Sequence, residues 1–288
     1  MDGILIIDKP KEYTSRDVVN VVGKVLNTNK VGHAGTLDPI ATGVLVIAVG
    51  DGLKILEFIN NKDKEYIATV KMGILTNTLD ISGEIVRKID DYSLDLAKLK
   101  EVLNSFKGKY NQEVPLYSSV KVNGQRLYKY ARENKEVILP KREVTIFDIE
   151  LLDYNSDEFV IKASVSKGTY IRSLIRDIGE KIGIPCTMKE LRRTKQGIFN
   201  IEDAIPFENI EKGQFKFISL EEALSDIEFI EVDDYLENRI NNGSILENRY
   251  CEKVVGFKNK NGNVIALYEP YEKNKEKIKP IKVFKKDK

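Results

Sequence analysis

Residues 32–50 read GHAGTLDPIATGVLVIAVG, and this stretch decides how the chain is interpreted. Its first half is a turn of small residues that contains one carboxylate, Asp38, and the only histidine of the chain, His33. Its second half is apolar from residue 43 onward and predicts a buried strand. Glycines in a tight turn let another molecule approach the backbone closely. A carboxylate at the mouth of a buried strand suits a nucleophile, although an isolated Asp-Pro turn is usually only a local structure.

Length and composition are those of a globular protein. The chain has 288 residues, of which 42% are hydrophobic and 32% charged, and this length suits one large domain or two smaller ones. No apolar run approaches the ~20 residues of a membrane span. The N-terminus lacks the features of a signal peptide, so we expect no membrane association.

The few cysteines and the single histidine limit which disulfides and metal sites the chain can form. Cys186 and Cys251 are far apart and form no CxxC motif, which predicts neither a disulfide framework nor a zinc site. With a single histidine, most histidine-based metal sites are also not expected. A reducing, cytoplasmic location fits this usage.

The net charge of +1 conceals a strong segregation of charge along the chain. Residues 107–143 carry nine basic and four acidic side chains, interleaved with tyrosines, whereas residues 219–238 carry eight acidic and no basic ones. Aromatic and basic side chains in one strip suit stacking on RNA bases and contacts with RNA phosphates. Solvated helix faces are the alternative explanation. For residues 191–194 (LRRT), phosphate contact and a solvated edge also stay open.

The hydrophobic periodicity predicts an α+β fold, because strands and helices occur without regular βαβ alternation. Predicted helices begin at Thr14-Ser15 and cover 96–106 and 171–182. Predicted strands cover residues 3–7, 44–49, 65–72, 144–153 and 159–165. After a weaker boundary near 205–230, short predicted strands at 229–232, 251–258, 263–268 and 281–284 indicate a small β-rich module. Asn261-Gly262 is a typical hairpin turn between two of them.

Five segments, taken together, resemble the TruB family of tRNA pseudouridine synthases. In chain order they are GHAGTLDPIATGVL (32–45), KEY (64–66), PLYSSVKVNGQRLYKYAR (115–132), KGTYIRSLIRDIG (167–179) and LRRTKQGIF (191–199). The resemblance implies a pseudouridine synthase catalytic fold over residues 1–228, with a mixed or antiparallel central sheet and flanking helices. It also implies an RNA-clamping insertion at about 107–142. Residues 229–288 are similar to a PUA domain, a small RNA-binding β-barrel.

The resemblance implies an activity and its catalytic residues. The family isomerises uridine to pseudouridine at position 55 in the T arm of tRNA, after flipping the base out of the folded loop. Asp38 matches the catalytic aspartate, Arg172 the arginine that pairs with it, and Tyr66 the tyrosine that stacks on the uracil. Attack at C6 of the base, attack at C1′ of the ribose and assistance to glycal formation stay open as roles of Asp38. No cofactor or metal is expected, because the isomerisation leaves the overall oxidation state unchanged.

Further residues are implied to bind the substrate. They are His33, Tyr170, Lys9, Asp80, Leu191, Arg193, Lys121 and Arg132. His33 is expected to position the substrate rather than to transfer protons, and Lys9 belongs to a motif that packs beneath the active site. One departure is Asn77, which stands where the family commonly carries aspartate.

The resemblance also implies the partners. The insertion is typical of stand-alone bacterial enzymes rather than of their RNA-guided relatives, so we expect a monomer that acts on tRNA without a protein partner. Two other functions are weighed against this one. A non-catalytic RNA-binding protein or tRNA-folding chaperone would not need Asp38, and a carboxylate-dependent glycosidase usually needs a second carboxylate as acid.

Overall fold

The structure is a computed structural model that describes residues 2–249 and 253–284. Its strands are β1 (Gly3–Lys9), β2 (Val31–Ala34), β3 (Thr42–Val49), β4 (Lys64–Met72), β5 (Ile74–Thr76), β6 (Ile85–Lys88), β7 (Gly108–Glu113), β8 (Lys121–Val122), β9 (Gln125–Arg126), β10 (Lys141–Tyr154), β11 (Glu158–Val165), β12 (Cys186–Gln196), β13 (Phe199–Asn200), β14 (Ile205–Pro206), β15 (Glu228–Glu231), β16 (Leu246–Glu247), β17 (Val255–Lys258), β18 (Val264–Tyr271) and β19 (Asn274–Val283). Its α-helices are α1 (Ser15–Val25), α2 (Leu56–Asn60), α3 (Leu96–Ser105), α4 (Leu127–Arg132), α5 (Ile171–Ile182), α6 (Phe207–Glu211), α7 (Leu220–Ala223) and α8 (Asp234–Asn241). Short 3₁₀ turns cover Gly50–Ile55 and Ile201–Asp203.

A large mixed sheet forms the centre of the protein. Its strand order is β14-β1-β3-β12-β4-β11-β10-β7, and β2 and β13 pair with β3 and β12. The pairs β1–β14 and β3–β12 are parallel, and the other neighbours are antiparallel. The predicted α+β class with a mixed central sheet is thereby confirmed.

Sequence periodicity explains the elements that flank the cleft. Alternate residues of β4, from Lys64 to Met72, are buried, as expected for a strand with one face in the core. Helix α5 buries the stripe of isoleucines and leucine that its 3.6-residue period predicts. Helix α1 begins at a Thr14 N-cap, which forms a capping box with Asp17.

Strand β12 differs from what its sequence suggests. It is a central strand between β3 and β4, although residues 191–194 were expected to contact phosphates or form a solvated edge. Two irregularities, at Met188/Glu190 and at Arg193/Lys195, break its alternation and turn Arg193 inward. Gly43 allows β3 to pass this point: it has φ +100, and a Cβ there would lie 2.2 Å from the Arg193 carbonyl oxygen.

The last part of the described chain forms a second, five-stranded sheet in the order β15-β17-β18-β19-β16. Asn259 closes the β17–β18 hairpin, because its side-chain oxygen accepts hydrogen bonds from the backbone of Asn261 and Asn263. Leu267 and Phe284 belong to the same buried apolar cluster as side chains of β1 and β3, so the two sheets share part of their core. The first residues of the predicted strand 251–258, including Cys251, lie outside the described residues.

The predicted insertion begins within the central sheet. Strand β7 pairs with β10 from Glu113–Lys141 to Gly108–Ile146 and is therefore an edge strand of that sheet. Only residues 114–140 leave the sheet, and they form the β8–β9 hairpin and α4. Among the described residues, no helix is long and apolar enough to cross a membrane.

Candidate active site

A cleft of about 1300 Å³ opens between the loop after β2, the insertion, and the start of α5. Its lining residues are His33, Gly35, Thr36, Leu37, Asp38, Pro39, Ile40, Asn60, Asn61, Lys64, Tyr66, Thr78, Asp80, Ser82, Tyr117, Ser118, Ser119, Tyr128, Arg132, Arg142, Glu143, Val144, Lys167, Gly168, Thr169, Tyr170, Ile171, Arg172, Leu191 and Arg193. Residues far apart in sequence therefore meet here, including most of those that the sequence analysis singled out.

A carboxylate–guanidinium pair lies in this cleft. The Nε of Arg172 is 3.0 Å from Oδ2 of Asp38, and its Nη2 is 3.4 Å from Oδ1. The Asp38 side chain is 37% exposed, whereas that of Arg172 is 7% exposed. The guanidinium thus orients the carboxylate from behind, while the carboxylate stays open to a bound molecule.

Arg172 is itself held by further acceptors. Its guanidinium donates to the backbone oxygens of Thr78 and Tyr117, at 2.9 and 3.0 Å. Asp80 lies behind it, with Oδ2 3.7 Å from Nη1 of Arg172. Hydrogen bonds from the Thr78 hydroxyl and the Ser82 backbone fix the buried Asp80 carboxylate. A buried cation with this many partners has little freedom to leave Asp38.

Contacts with other parts of the chain hold the loop that carries Asp38 in place. The Ser15 hydroxyl accepts a hydrogen bond from the backbone N–H of Leu37 at 2.9 Å and donates to its carbonyl at 3.2 Å. Gly35, with φ +75, faces Arg193, and a Cβ there would lie 3.2 Å from a guanidinium nitrogen. The loop conformation is therefore set by the protein before any substrate binds.

Two residues predicted to bind substrate support this loop. Lys9 is 0% exposed, and its ammonium donates to the carbonyls of Pro10, Tyr13 and Pro39. Arg193 is 1% exposed and donates to the carbonyls of Val44 and Gly35. Lys9 thus lies beneath the loop, as its motif implies, whereas Arg193 supports the loop and also lines the cleft, so its part in substrate binding stays a prediction.

Four other predicted residues line the cleft. Tyr66 and Leu191 are nearly buried on the adjacent strands β4 and β12. Tyr170 is the N-cap of α5, and His33 lies on β2. Burial, together with the nearby guanidinium groups, lowers the pKa of His33, so its imidazole is neutral near pH 7. A neutral imidazole fits the expected positioning role.

The insertion contributes unequally to the cleft. Arg132, at the end of α4, lines it, and its guanidinium carbon lies 5.5 Å from the centre of the Tyr128 ring. Lys121 lies exposed on β8 and is not among the lining residues. Asn77 is also away from the lining, where its side-chain oxygen accepts a hydrogen bond from Glu84 across the β5–β6 hairpin.

The sequence analysis missed three basic residues of the lining, namely Lys64, Arg142 and Lys167. Lys64 had a detectable signal, since it occupies a buried position in the alternating pattern of β4, where an apolar residue is expected. Within residues 2–249 and 253–284, no cluster of three or more histidine, cysteine, aspartate or glutamate side chains could hold a metal ion.

Solved structures of other proteins share this architecture. A chain in the crystal structure of a Cbf5-Nop10-Gar1 complex has a TM-score of 0.72 and 25% sequence identity, and covers 98% of this chain and 84% of its own. A chain of an H/ACA RNP bound to a substrate RNA containing 2′-deoxyuridine has a TM-score of 0.73 at 22% identity, with 99% and 85% covered. The fold is therefore that of the pseudouridine synthases.

Sequence comparison then gives the family. Residues 23–171 match the N-terminal domain of the TruB family pseudouridylate synthases, and residues 172–236 match the tRNA pseudouridylate synthase B C-terminal domain. A tRNA pseudouridine synthase B of Clostridium tetani is 41% identical over 93% of this chain and 92% of its own length. The protein of that name from Bacillus subtilis is 38% identical over 98% and 97%. The chain belongs to the TruB family.

Proposed function

We propose that this protein is a tRNA pseudouridine synthase that converts the uridine at position 55 in the T arm of tRNA to pseudouridine. Membership of the TruB family and the names of the relatives support the reaction and its tRNA substrate. The observation that carries the proposal is the Asp38 carboxylate, which faces an open cleft while the buried Arg172 holds both of its oxygens.

The reaction exchanges one bond for another at the same ribose. The bond between N1 of uracil and C1′ breaks, the base turns, and a bond between C5 and C1′ forms. The proton on C5 is lost and N1 gains one, so no redox partner is needed. Addition of Asp38 to C1′, its addition to C6 and its assistance to glycal formation all start from the same group, an ionised carboxylate in a fixed orientation.

The neighbouring residues have matching roles in this proposal. Tyr66 forms a flat apolar wall on which uracil can stack, and Leu191 forms the next part of that wall. Tyr170 closes the pocket at the start of α5. His33 lies at the edge, where a flipped nucleotide leaves the RNA stack, and its neutral imidazole can donate or accept one hydrogen bond. Asp80 holds the Arg172 guanidinium in the orientation in which it pairs with Asp38.

The remaining parts of the chain bind the tRNA outside the pocket. Arg132 and Lys121 belong to the insertion that grips the T arm, and residues 229–288 add a PUA-like RNA-binding domain to the catalytic domain of residues 1–228. We propose that the enzyme works as a monomer in the cytoplasm, without a protein partner, cofactor or metal.

The decisive experiment uses an unmodified tRNA transcript with wild-type protein and Asp38→Asn. Pseudouridine is mapped at single-nucleotide resolution, and tRNA affinity is measured for both proteins. We expect pseudouridine at the T-arm uridine with wild type alone and similar affinity for both. If wild-type protein binds tRNA tightly but yields no pseudouridine, the enzymatic function is wrong and an RNA-binding chaperone is supported.

A further inference from the structure

Three cations that form no ion pair with a carboxylate lie together at one end of the cleft. They are Lys64, Lys167 and Arg193. Among the described residues, no carboxylate oxygen lies within 4.0 Å of any of their side-chain nitrogens, whereas Arg172 in the same cleft pairs with two aspartates. A charge taken out of water is normally paired, so the buried Lys64 and Arg193 lack a carboxylate counter-ion.

Lys64 is the central member of the group. Its residue is 8% exposed, and its ammonium donates to the backbone oxygens of Asn60 and Lys62, at 3.1 and 2.7 Å. An ammonium has three N–H groups, so one donor remains after these two bonds. Burial and the positive charges of Arg193 and Lys167 lower its pKa to about 8, and the neighbouring Asp63 opposes this only in part.

Lys167 brings a further positive charge to the same place from the opposite wall. It is exposed on the loop before α5, and its ammonium donates to the side-chain oxygen of Asn61 at 2.9 Å. Asn61 is a neutral partner and cancels no charge. The two walls of the cleft, residues 60–64 and 167–168, therefore present positive charge to one position between them.

We infer that this end of the cleft is a phosphate subsite, and that the missing counter-ion of Lys64 and Lys167 is a backbone phosphate of the RNA next to the flipped uridine. This inference rests on the proposed function, since it identifies part of the substrate contact of that same cleft. The buried Arg193 adds to the local positive charge without contacting the phosphate.

The position of Lys64 fits a phosphate adjoining the reacting nucleotide. Lys64 and Tyr66 are two residues apart on β4, so they lie on one face of the strand, about 7 Å apart. If uracil stacks on Tyr66, the backbone of the same or the next nucleotide passes Lys64. Because the Lys64 ammonium is already largely desolvated, it can form a strong, charge-assisted hydrogen bond with a phosphate at this position.

The first experiment measures affinity for a T-arm stem-loop as a function of salt, with wild type, Lys64→Met and Lys167→Met. Each contact with a single-stranded phosphate contributes about 0.7 to the slope of log Kd against log salt. We expect each variant to lose at most about that amount, because the two cations share one phosphate, and to bind roughly tenfold more weakly at low salt. Lys71→Met is the matched control, because Lys71 lies on the opposite face of β4 and pairs with Asp157 at 3.1 Å. Its slope should equal that of wild type.

The second experiment identifies the phosphate. Stem-loops carry one uncharged methylphosphonate linkage, placed in turn at each phosphate flanking the target uridine. One position should weaken binding by wild type at least tenfold, and its effect should be smaller in Lys64→Met and in Lys167→Met, because each variant has already lost one of the two cations that face that phosphate. Because Lys64→Met may lose stability, its fold is checked by thermal unfolding, and the exposed Lys167→Met provides the same test independently.

The outcomes separate this inference from the proposed function. If wild type forms pseudouridine in the stem-loop but the folded Lys64→Met and Lys167→Met variants keep the wild-type salt slope and methylphosphonate sensitivity, the subsite is wrong and Lys64 only fastens the turn at 60–62. If wild type forms no pseudouridine in full-length tRNA, the proposed function fails first. Proton uptake on binding at pH 8, absent in Lys64→Met, would further support the subsite, because a bound phosphate raises the pKa of Lys64.

Discussion

The side-chain amide of Gln112 forms two hydrogen bonds with the backbone of Tyr170. Its Oε1 accepts from the Tyr170 N–H at 2.7 Å, and its Nε2 donates to the Tyr170 carbonyl at 3.0 Å. Gln112 lies at the end of β7, where the insertion leaves the sheet, and Tyr170 is the N-cap of the helix that carries Arg172. The point where the insertion leaves the sheet and the start of α5 are thus joined directly.

Replacing Gln112 should therefore affect both stability and turnover. Gln112→Ala leaves the Tyr170 N–H without its partner, whereas the Tyr170 carbonyl still accepts from the Leu174 N–H at 3.0 Å. An unpaired, partly buried N–H costs about 1–3 kcal/mol in the free energy of unfolding. We also expect a lower single-turnover rate, because the start of α5 carries Tyr170 and Arg172. Urea unfolding and single-turnover assays measure the two effects.

Gln125→Ala is the control for this prediction. Gln125 also lies in the insertion, but its hydrogen bond to Glu133 is exposed. Its removal should change stability by less than about 0.5 kcal/mol. Equal effects of the two substitutions would show that the bonds to Tyr170 have no special importance.

Asp80→Asn should reduce the rate without reducing tRNA affinity. The substitution keeps an acceptor for Thr78 and Ser82 but removes the negative charge behind Arg172 and places an amide near its guanidinium. We expect kcat to fall roughly tenfold to a hundredfold, because Arg172 no longer orients Asp38 in one geometry. Binding should change by less than about threefold, since Asp80 is buried.

Asp90→Asn serves as the control for Asp80→Asn. Asp90 is largely exposed and pairs with Lys88 at the protein surface. Its substitution should leave both kcat and Kd unchanged. A large loss of tRNA binding in Asp80→Asn, at unchanged kcat, would contradict the positioning role of Asp80.

The buried Lys9 should make stability depend on pH in the alkaline range. Burial lowers its pKa from 10.5 to about 8, with Asp38 partly opposing the shift. Between these two values the unfolded chain holds the proton and the folded chain has lost it, so the contribution of Lys9 to the stability of the fold increases with pH. The stability difference between wild type and Lys9→Met should therefore move in favour of wild type from pH 8 to pH 10.

Urea titrations of both proteins across this range provide the test. The change cannot exceed about 1.4 kcal/mol per pH unit for one titrating group. A difference that stays constant from pH 8 to pH 10 would mean that Lys9 keeps its proton in the folded protein. Lys64 titrates in the same range but is common to both proteins, so it cancels in the comparison.

Cys186 should be unreactive in the folded protein. It is buried, and burial raises the pKa of its thiol to about 12. At pH 8 such a thiol has roughly a thousandfold less thiolate than an ordinary cysteine, and the thiolate is the reactive form. In a Cys251→Ser variant, a thiol reagent should react with Cys186 only after denaturation. Rapid reaction in native buffer would contradict the burial of this side chain.

Local hydrophobic patterns predicted those strands and helices in which apolar residues dominate at least one face. The alternation of β4, the apolar run of β3 and the isoleucine stripe of α5 each follow from contacts within a few residues. The polar strand β12 was not predicted, because its two irregularities interrupt the alternation of buried and exposed residues. The edge strand β7 was missed for a related reason, since most of its side chains face solvent.

The candidate site likewise contains residues that the sequence could predict and residues that it could not. Asp38 and Arg172 could be proposed from their motifs, and the structure brings them together across 134 residues. The inward direction of Arg193 could not, because it depends on which backbone oxygens the folded chain leaves without donors. Likewise, Lys64 and Lys167 meet only when β4 and the loop before α5 face each other.

The core that the two sheets share has a practical consequence for protein engineering. Leu267 and Phe284 belong to one buried apolar patch that also includes Ile4 of β1 and Val46 of β3. A fragment that ends before the second sheet would expose this patch to water and is expected to aggregate. Attempts to isolate a minimal catalytic fragment should therefore keep both sheets.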